Sequence, residues 1–132
     1  VIIFDASVIV AAALKVESVP EQALLRAEET DVFALSAAVD AEITEVIARP
    51  KFSRSIPPAR REKLLEILRA AAIWFEPTER VTDCRDPKDN IYLELALVAG
   101  AAIIVSGDDD LLVLHPWRGV QILRPAAYLS VS

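Results

Sequence analysis

Six carboxylates carry the chemistry this chain can do, five of them where it changes direction. Asp5 ends the apolar run Val1-Ile2-Ile3-Phe4. Asp108 and Asp110 belong to a triple aspartate that follows Ile103-Ile104-Val105-Ser106-Gly107. Asp86 and Asp89 bracket Pro87-Lys88, and Glu42 sits inside an apolar-periodic helix. Each has a plain structural account. Asp5 is a good helix N-cap. Asp86, Pro87 and Asp89 fit the cap, first and third positions of a helix start. Glu42 reads equally as a solvated helix glutamate. Three adjacent aspartates, however, repel one another unless a cation or a helix terminus relieves them. Oxygen-only donors suit Mg²⁺ or Mn²⁺ rather than zinc, for which the chain offers one Cys and one His. Such a set suits displacement at phosphorus, with an ion activating water and stabilising the leaving oxygen. That chemistry needs no histidine base, and His115 reads as structural.

For these acids to meet, the elements carrying them must share one edge. Short apolar runs at 1–4, 32–35, 73–75, 101–105 and 120–123 read as strands. Between them fall helical stretches at 8–14, 20–29, 37–49, 59–72 and 90–99, a short helix at 109–114 and a last turn at 125–129. Strict alternation predicts a parallel sheet covered on both faces by right-handed crossovers. Ligands of such sheets collect at the carboxyl ends of the strands. On the third helix Val39, Ile43, Val46 and Ile47 define the buried face. Glu42 falls on its flank and Glu45 points to solvent. Asp89 starts the face that carries Tyr92, Leu93 and Ala96, while Glu94 is expected in solvent.

A chain of 132 residues with 54% hydrophobic content reads as one domain over 1–132 with a sizeable core. It opens inside a strand without Met, as though residues precede Val1. No run is long enough for a membrane span and no signal segment is visible. The lone Cys84 suits a reducing cytoplasm. A net charge of −6 argues against general electrostatic binding of nucleic acid. The basic residues are nonetheless clustered. Arg49, Lys51, Arg54, Arg60, Arg61 and Lys63 fall in one stretch with Glu62 as its single acid, either a phosphate-holding patch or ordinary surface charge. Phe52, in an expected loop over 51–55, is placed to stack on a base or to anchor that loop. With three glycines in the chain, Gly100, Gly107 and Gly119, and none in the turn that follows the first strand, a dinucleotide fold is excluded. A phosphatase of this layout needs an acid two residues after Asp5, where Ser7 stands. A phospho-receiver needs an aspartate after its third strand, which here ends at Glu76-Pro77.

Three ordered stretches, residues 1–10, 36–52 and 84–114, resemble the PIN domain, and more narrowly the VapC-like toxins of prokaryotic toxin–antitoxin systems. The resemblance implies a three-layer α/β/α sandwich with a five-stranded parallel sheet. It implies a Mg²⁺- or Mn²⁺-dependent endoribonuclease, a cytoplasmic toxin paired with a cognate antitoxin, and a homodimer. The four family acids fall on Asp5, Glu42, Asp89 and Asp108. Asp86 and Asp110 match positions that are often acidic, and Ser7 and Ser106 match hydroxyl or amide residues near the metal. Ala6 stands where the family often has Thr, Ser7 where it has Asn, and Ser106 where it has Thr. The rival expectation is a PIN-fold module that binds a protein or RNA without cutting.

Overall fold

In the computed structural model, which describes residues 1–131, β1 (Ile2–Phe4) is buried along its whole length. The chain turns at Asp5 directly into α1 (Ala6–Leu14), two residues earlier than the apolar run implies. The reason is the cap: the Asp5 side chain accepts the Val8 N–H, so the helix can begin at once. Six of the nine α1 residues are buried, because α2 (Val19–Thr30) and later helices cover it on more than one side.

After α2 come β2 (Ala34–Leu35) and α3 (Ala37–Ile47), the latter capped by Ser36, whose Oγ accepts the Val39 N–H at 3.2 Å. The helix stops at Ile47, not at Arg49. Pro50 then opens a separate single turn, α4 (Pro50–Ser53), where a basic loop was expected. Then follow α5 (Pro58–Ala71) and β3 (Ile73–Trp74). A connector leads to a 3-10 turn (Pro87–Asp89) and α6 (Asn90–Ala99). Gly100 ends α6 at φ 63°, a left-handed position that favours glycine. The chain finishes with β4 (Ile103–Val105), α7 (Asp109–Leu112), β5 (Gln121–Leu123) and α8 (Pro125–Val131).

All three strand ladders are parallel. They form two sheets, β1-β4-β5 and β2-β3, rather than one continuous five-stranded sheet. A single parallel bridge from Ile2 to Phe33 joins them, with the Ile2 N–H on the Val32 carbonyl at 2.9 Å. Strands of two or three residues offer one or two ladder bonds each, so the seam between β1 and β2 closes at that one point. β3 lies on the outer edge, with Ile73 50% and Trp74 48% exposed. The core runs from β1 and β4 through α1, α3 and α6. Its effect is to fix the carboxyl ends of β1 and β4 side by side, with Phe4 paired to Val105.

Candidate active site

Asp5 leaves β1 at that shared end and is 2% exposed. Its Oδ1 accepts the Ser7 hydroxyl at 2.6 Å and the Val8 N–H at 3.0 Å, and its Oδ2 accepts the Ser106 hydroxyl. Burial pushes the Asp5 carboxyl above the ordinary range; these hydrogen bonds pull it back, and the Asp108 charge pushes it up again. Both serines work in two directions. The Ser7 oxygen accepts the Gly107 N–H at 3.1 Å, and the Ser106 oxygen accepts the Asp108 N–H at 2.9 Å. The ends of β1 and β4 are thus stitched together through two hydroxyls. Gly107 suits the close approach: a Cβ there would stand 3.2 Å from Ser7 Oγ. Both carboxylate oxygens of Asp5 are thus hydrogen-bonded, with Ala6 beside them contributing no side-chain bond.

Asp108 caps α7, its Oδ1 accepting the Asp110 N–H at 2.9 Å. Asp86 caps the 3-10 turn through the Lys88 N–H at 3.2 Å. Asp89 closes that turn and is 9% exposed. Its Oδ2 is the one buried side-chain polar atom without a hydrogen-bond partner among the described residues. The Asp89 carboxyl is pushed up to about 8, first by burial and then by Asp108, with Asp86 and Asp5 adding to it. Carboxylate oxygens of Asp86, Asp89 and Asp110 also come within 4.8 Å of one another. Asp110 is partly committed, since Arg85 donates to its Oδ1. Glu42 is half-buried on the flank of α3, as its spacing predicts, and Glu45 is exposed. Glu94 departs from expectation: half-buried, it accepts the Val81 N–H at 2.9 Å and ties the connector to α6.

Asp5, Glu42, Asp86, Asp89 and Asp108 line one cleft of about 350 Å³, together with Ser7. Ser106 and Asp110 do not line it; they act on Asp5, Asp108 and Arg85 from beside it. An unpartnered, buried carboxylate oxygen held among like charges is an unstable arrangement by itself. An oxygen-only donor set of this kind fits a hard divalent cation.

The basic stretch is divided by the fold. Arg49 and Lys51 line the cleft, and Arg49 is forked onto Glu45 at 3.1 and 2.8 Å. Arg54 and Arg61 do not line it. Arg60 turns inward, donating to the Ala12 and Ala13 carbonyls at 2.9 Å each and pairing with Glu21 at 2.6 Å. It closes the end of α1 instead of facing a ligand. Two cleft residues escaped the reading by type. Lys88 lies between Asp86 and Asp89, and Tyr92 follows Asp89 by one turn. The Tyr92 hydroxyl accepts the Ala6 N–H at 3.0 Å, and burial pushes its pKa up. The spacing i, i+3 from Asp89 was the available signal for Tyr92. His115 lies elsewhere, its Nδ1 accepting the Ile122 N–H at 2.9 Å. Among the described residues no helix is long and apolar enough to cross a membrane.

The family profile described as PIN domain matches residues 1–110. No curated protein shows significant similarity to the chain.

Proposed function

This chain belongs to the PIN domain family, whose members are generally metal-dependent nucleases, and on that premise we propose that it is a Mg²⁺- or Mn²⁺-dependent endoribonuclease. The observation that carries the reading is the buried, unpartnered Oδ2 of Asp89 in a cleft with four other carboxylates. Taken as one five-stranded layer between helices, the two short sheets present these acids at a single edge. Asp5, Glu42, Asp89 and Asp108 would hold the ion, with Asp86 and Asp110 at its side. When bound, a divalent ion supplies positive charge for the phosphate and lowers the pKa of water.

The chain's own residues do the rest. Ser7 and Ser106 fix the Asp5 carboxylate from both oxygens. Without an ion, Asp89 holds a proton near neutral pH, which quiets the repulsion with Asp108. Lys51 and Lys88, both exposed at the cleft, meet phosphate charge that the acids repel. The net charge of −6 keeps this attraction local. For the biological setting we read a toxin held by a cognate antitoxin, with a homodimer as its assembly. The support for that part is the order of the motifs in residues 1–10, 36–52 and 84–114.

The test is incubation with single-stranded RNA, and separately with single-stranded DNA, in Mn²⁺, with Asp5→Asn as control. RNA cut by the wild-type protein and spared by the variant supports the reading. Equal trace product from both defeats it.

A further inference from the structure

Building on the nuclease reading, we propose that Phe52 is the nucleobase platform of this cleft: one unpaired base stacks on its ring beside the acids. The cleft lining is mixed: beside the carboxylates stand Val10, Leu14, Val46 and Phe52, with Lys51 and Lys88 as exposed cations. Apolar lining cannot solvate phosphate or sugar hydroxyls, and the acids repel phosphate. The flat apolar face of a base is the part of a nucleic acid that fits there.

Phe52 is built for this role by α4, a single turn between two longer helices. Pro50 opens the turn, and the Arg49 carbonyl accepts both the Phe52 and the Ser53 N–H at 2.9 Å. The ring is partly buried against the core yet still lines the cleft. It is therefore anchored on one side and offered on the other, so stacking on it costs little ordering. In the free protein the Lys51 ammonium stands 4.8 Å from the ring centroid. An exposed cation–π contact is weaker than base–aromatic stacking. A base can take the ring face while the ammonium moves to the adjoining phosphate. Arg60 is held within the protein by two carbonyls and Glu21 and does not compete for that position. The substrate class is RNA with unstacked bases, because a duplex hides base faces. The preference among bases is weak, since every base has a π face.

The probe is a short single-stranded RNA carrying one 2-aminopurine, measured with wild type, Phe52→Leu and Phe52→Tyr. Binding is read in Ca²⁺ by filter retention of the RNA, stacking by quenching of the 2-aminopurine, and cleavage separately in Mn²⁺. Melting curves establish that each variant is folded. Phe52→Leu keeps the apolar anchor but loses the ring. It is expected to weaken binding about tenfold, to abolish the quenching, and to raise KM more than it lowers kcat. Phe52→Tyr restores both signals. If Phe52→Leu binds and cuts like wild type, the platform is overturned and the nuclease reading stands. If leucine and tyrosine lose equally, Phe52 is an anchor of α4 and the platform is likewise overturned. If the wild-type protein neither binds nor cuts the RNA, the platform and the nuclease reading fall together.

Discussion

Ser106 Oγ donates to Asp5 Oδ2 across 101 residues of sequence, and that Ser106 Oγ accepts the Asp108 N–H at 2.9 Å. One hydroxyl thus sets the position of two acids that arrive on different strands. Ser106 is 0% exposed and Asp5 2%, so that carboxylate cannot turn to water instead. Ser106→Ala leaves a buried carboxylate oxygen and a partly buried amide without their bonds, at a cost of about 1–3 kcal/mol. Urea denaturation at neutral pH reads that loss directly. A change under about 0.5 kcal/mol, the range of inert substitutions, would mean that the Ser106 bridge adds nothing to the Ser7 bridge and the strand ladder.

Asp89 supplies a pH signature. Its folded-state carboxyl is raised to about 8, chiefly by burial and next by Asp108, against about 4 in an unfolded chain. Between these values the folded protein binds a proton that the unfolded chain has released. The metal-free protein therefore loses stability as pH rises from about 4 through about 8. The raised Asp5 carboxyl acts in the same direction. A divalent ion competes with that proton, so the rise in Tm on adding Mg²⁺ grows from about pH 6 to about pH 8. Asp89→Asn removes the charge and should flatten both dependences. A Mg²⁺-induced Tm rise that is the same at every pH contradicts the assignment.

Arg60 and Lys51 come from one basic stretch but should behave oppositely. Arg60 closes the end of α1 through two carbonyls and Glu21. Arg60→Ala is expected to cost about 1–3 kcal/mol, with RNA KM unmoved in the protein that remains folded. Lys51 is exposed at the cleft, and Lys51→Ala should leave Tm within a degree or two while raising KM by roughly fivefold. Paired melting and kinetic measurements separate the two, and a reversed pattern would relocate the RNA-facing surface.

Tyr92→Phe tests the remaining support under Asp5. The hydroxyl is the acceptor for the Ala6 N–H at the first turn of α1. Phenylalanine fills the same space and leaves that N–H unpaired, for about 1–3 kcal/mol. Chemical denaturation should show this loss with the fold intact by far-ultraviolet circular dichroism. An unchanged midpoint would show that water reaches Ala6.

What could be read in the chain without coordinates was local. The capping roles of Asp5 after its strand, Ser36 before α3 and Gly100 after α6 each rest on bonds within a few residues. The flank position of Glu42 followed from helical period alone. The rest depends on partners far away in sequence. Arg60 looked like its basic neighbours because the carbonyls that claim it lie 47 and 48 residues earlier. Glu94 looked solvent-facing because the connector it binds has no periodicity to reveal its path. The turn α4 was hidden by its length, since four residues show no helical period. The seam between the two sheets was invisible for a similar reason: hydrophobic runs mark strands but not how many bonds join them.

The central claim is that acids from four parts of the chain act together on RNA through one divalent ion site. The most direct test is the initial rate of single-stranded RNA cleavage in Mn²⁺ by wild type, Glu42→Gln and Asp89→Asn, each repeated with excess EDTA. The account predicts cleavage by wild type that EDTA abolishes, and a loss of at least about 100-fold in each variant. RNA left intact by wild type, or cut equally by all three proteins, contradicts it.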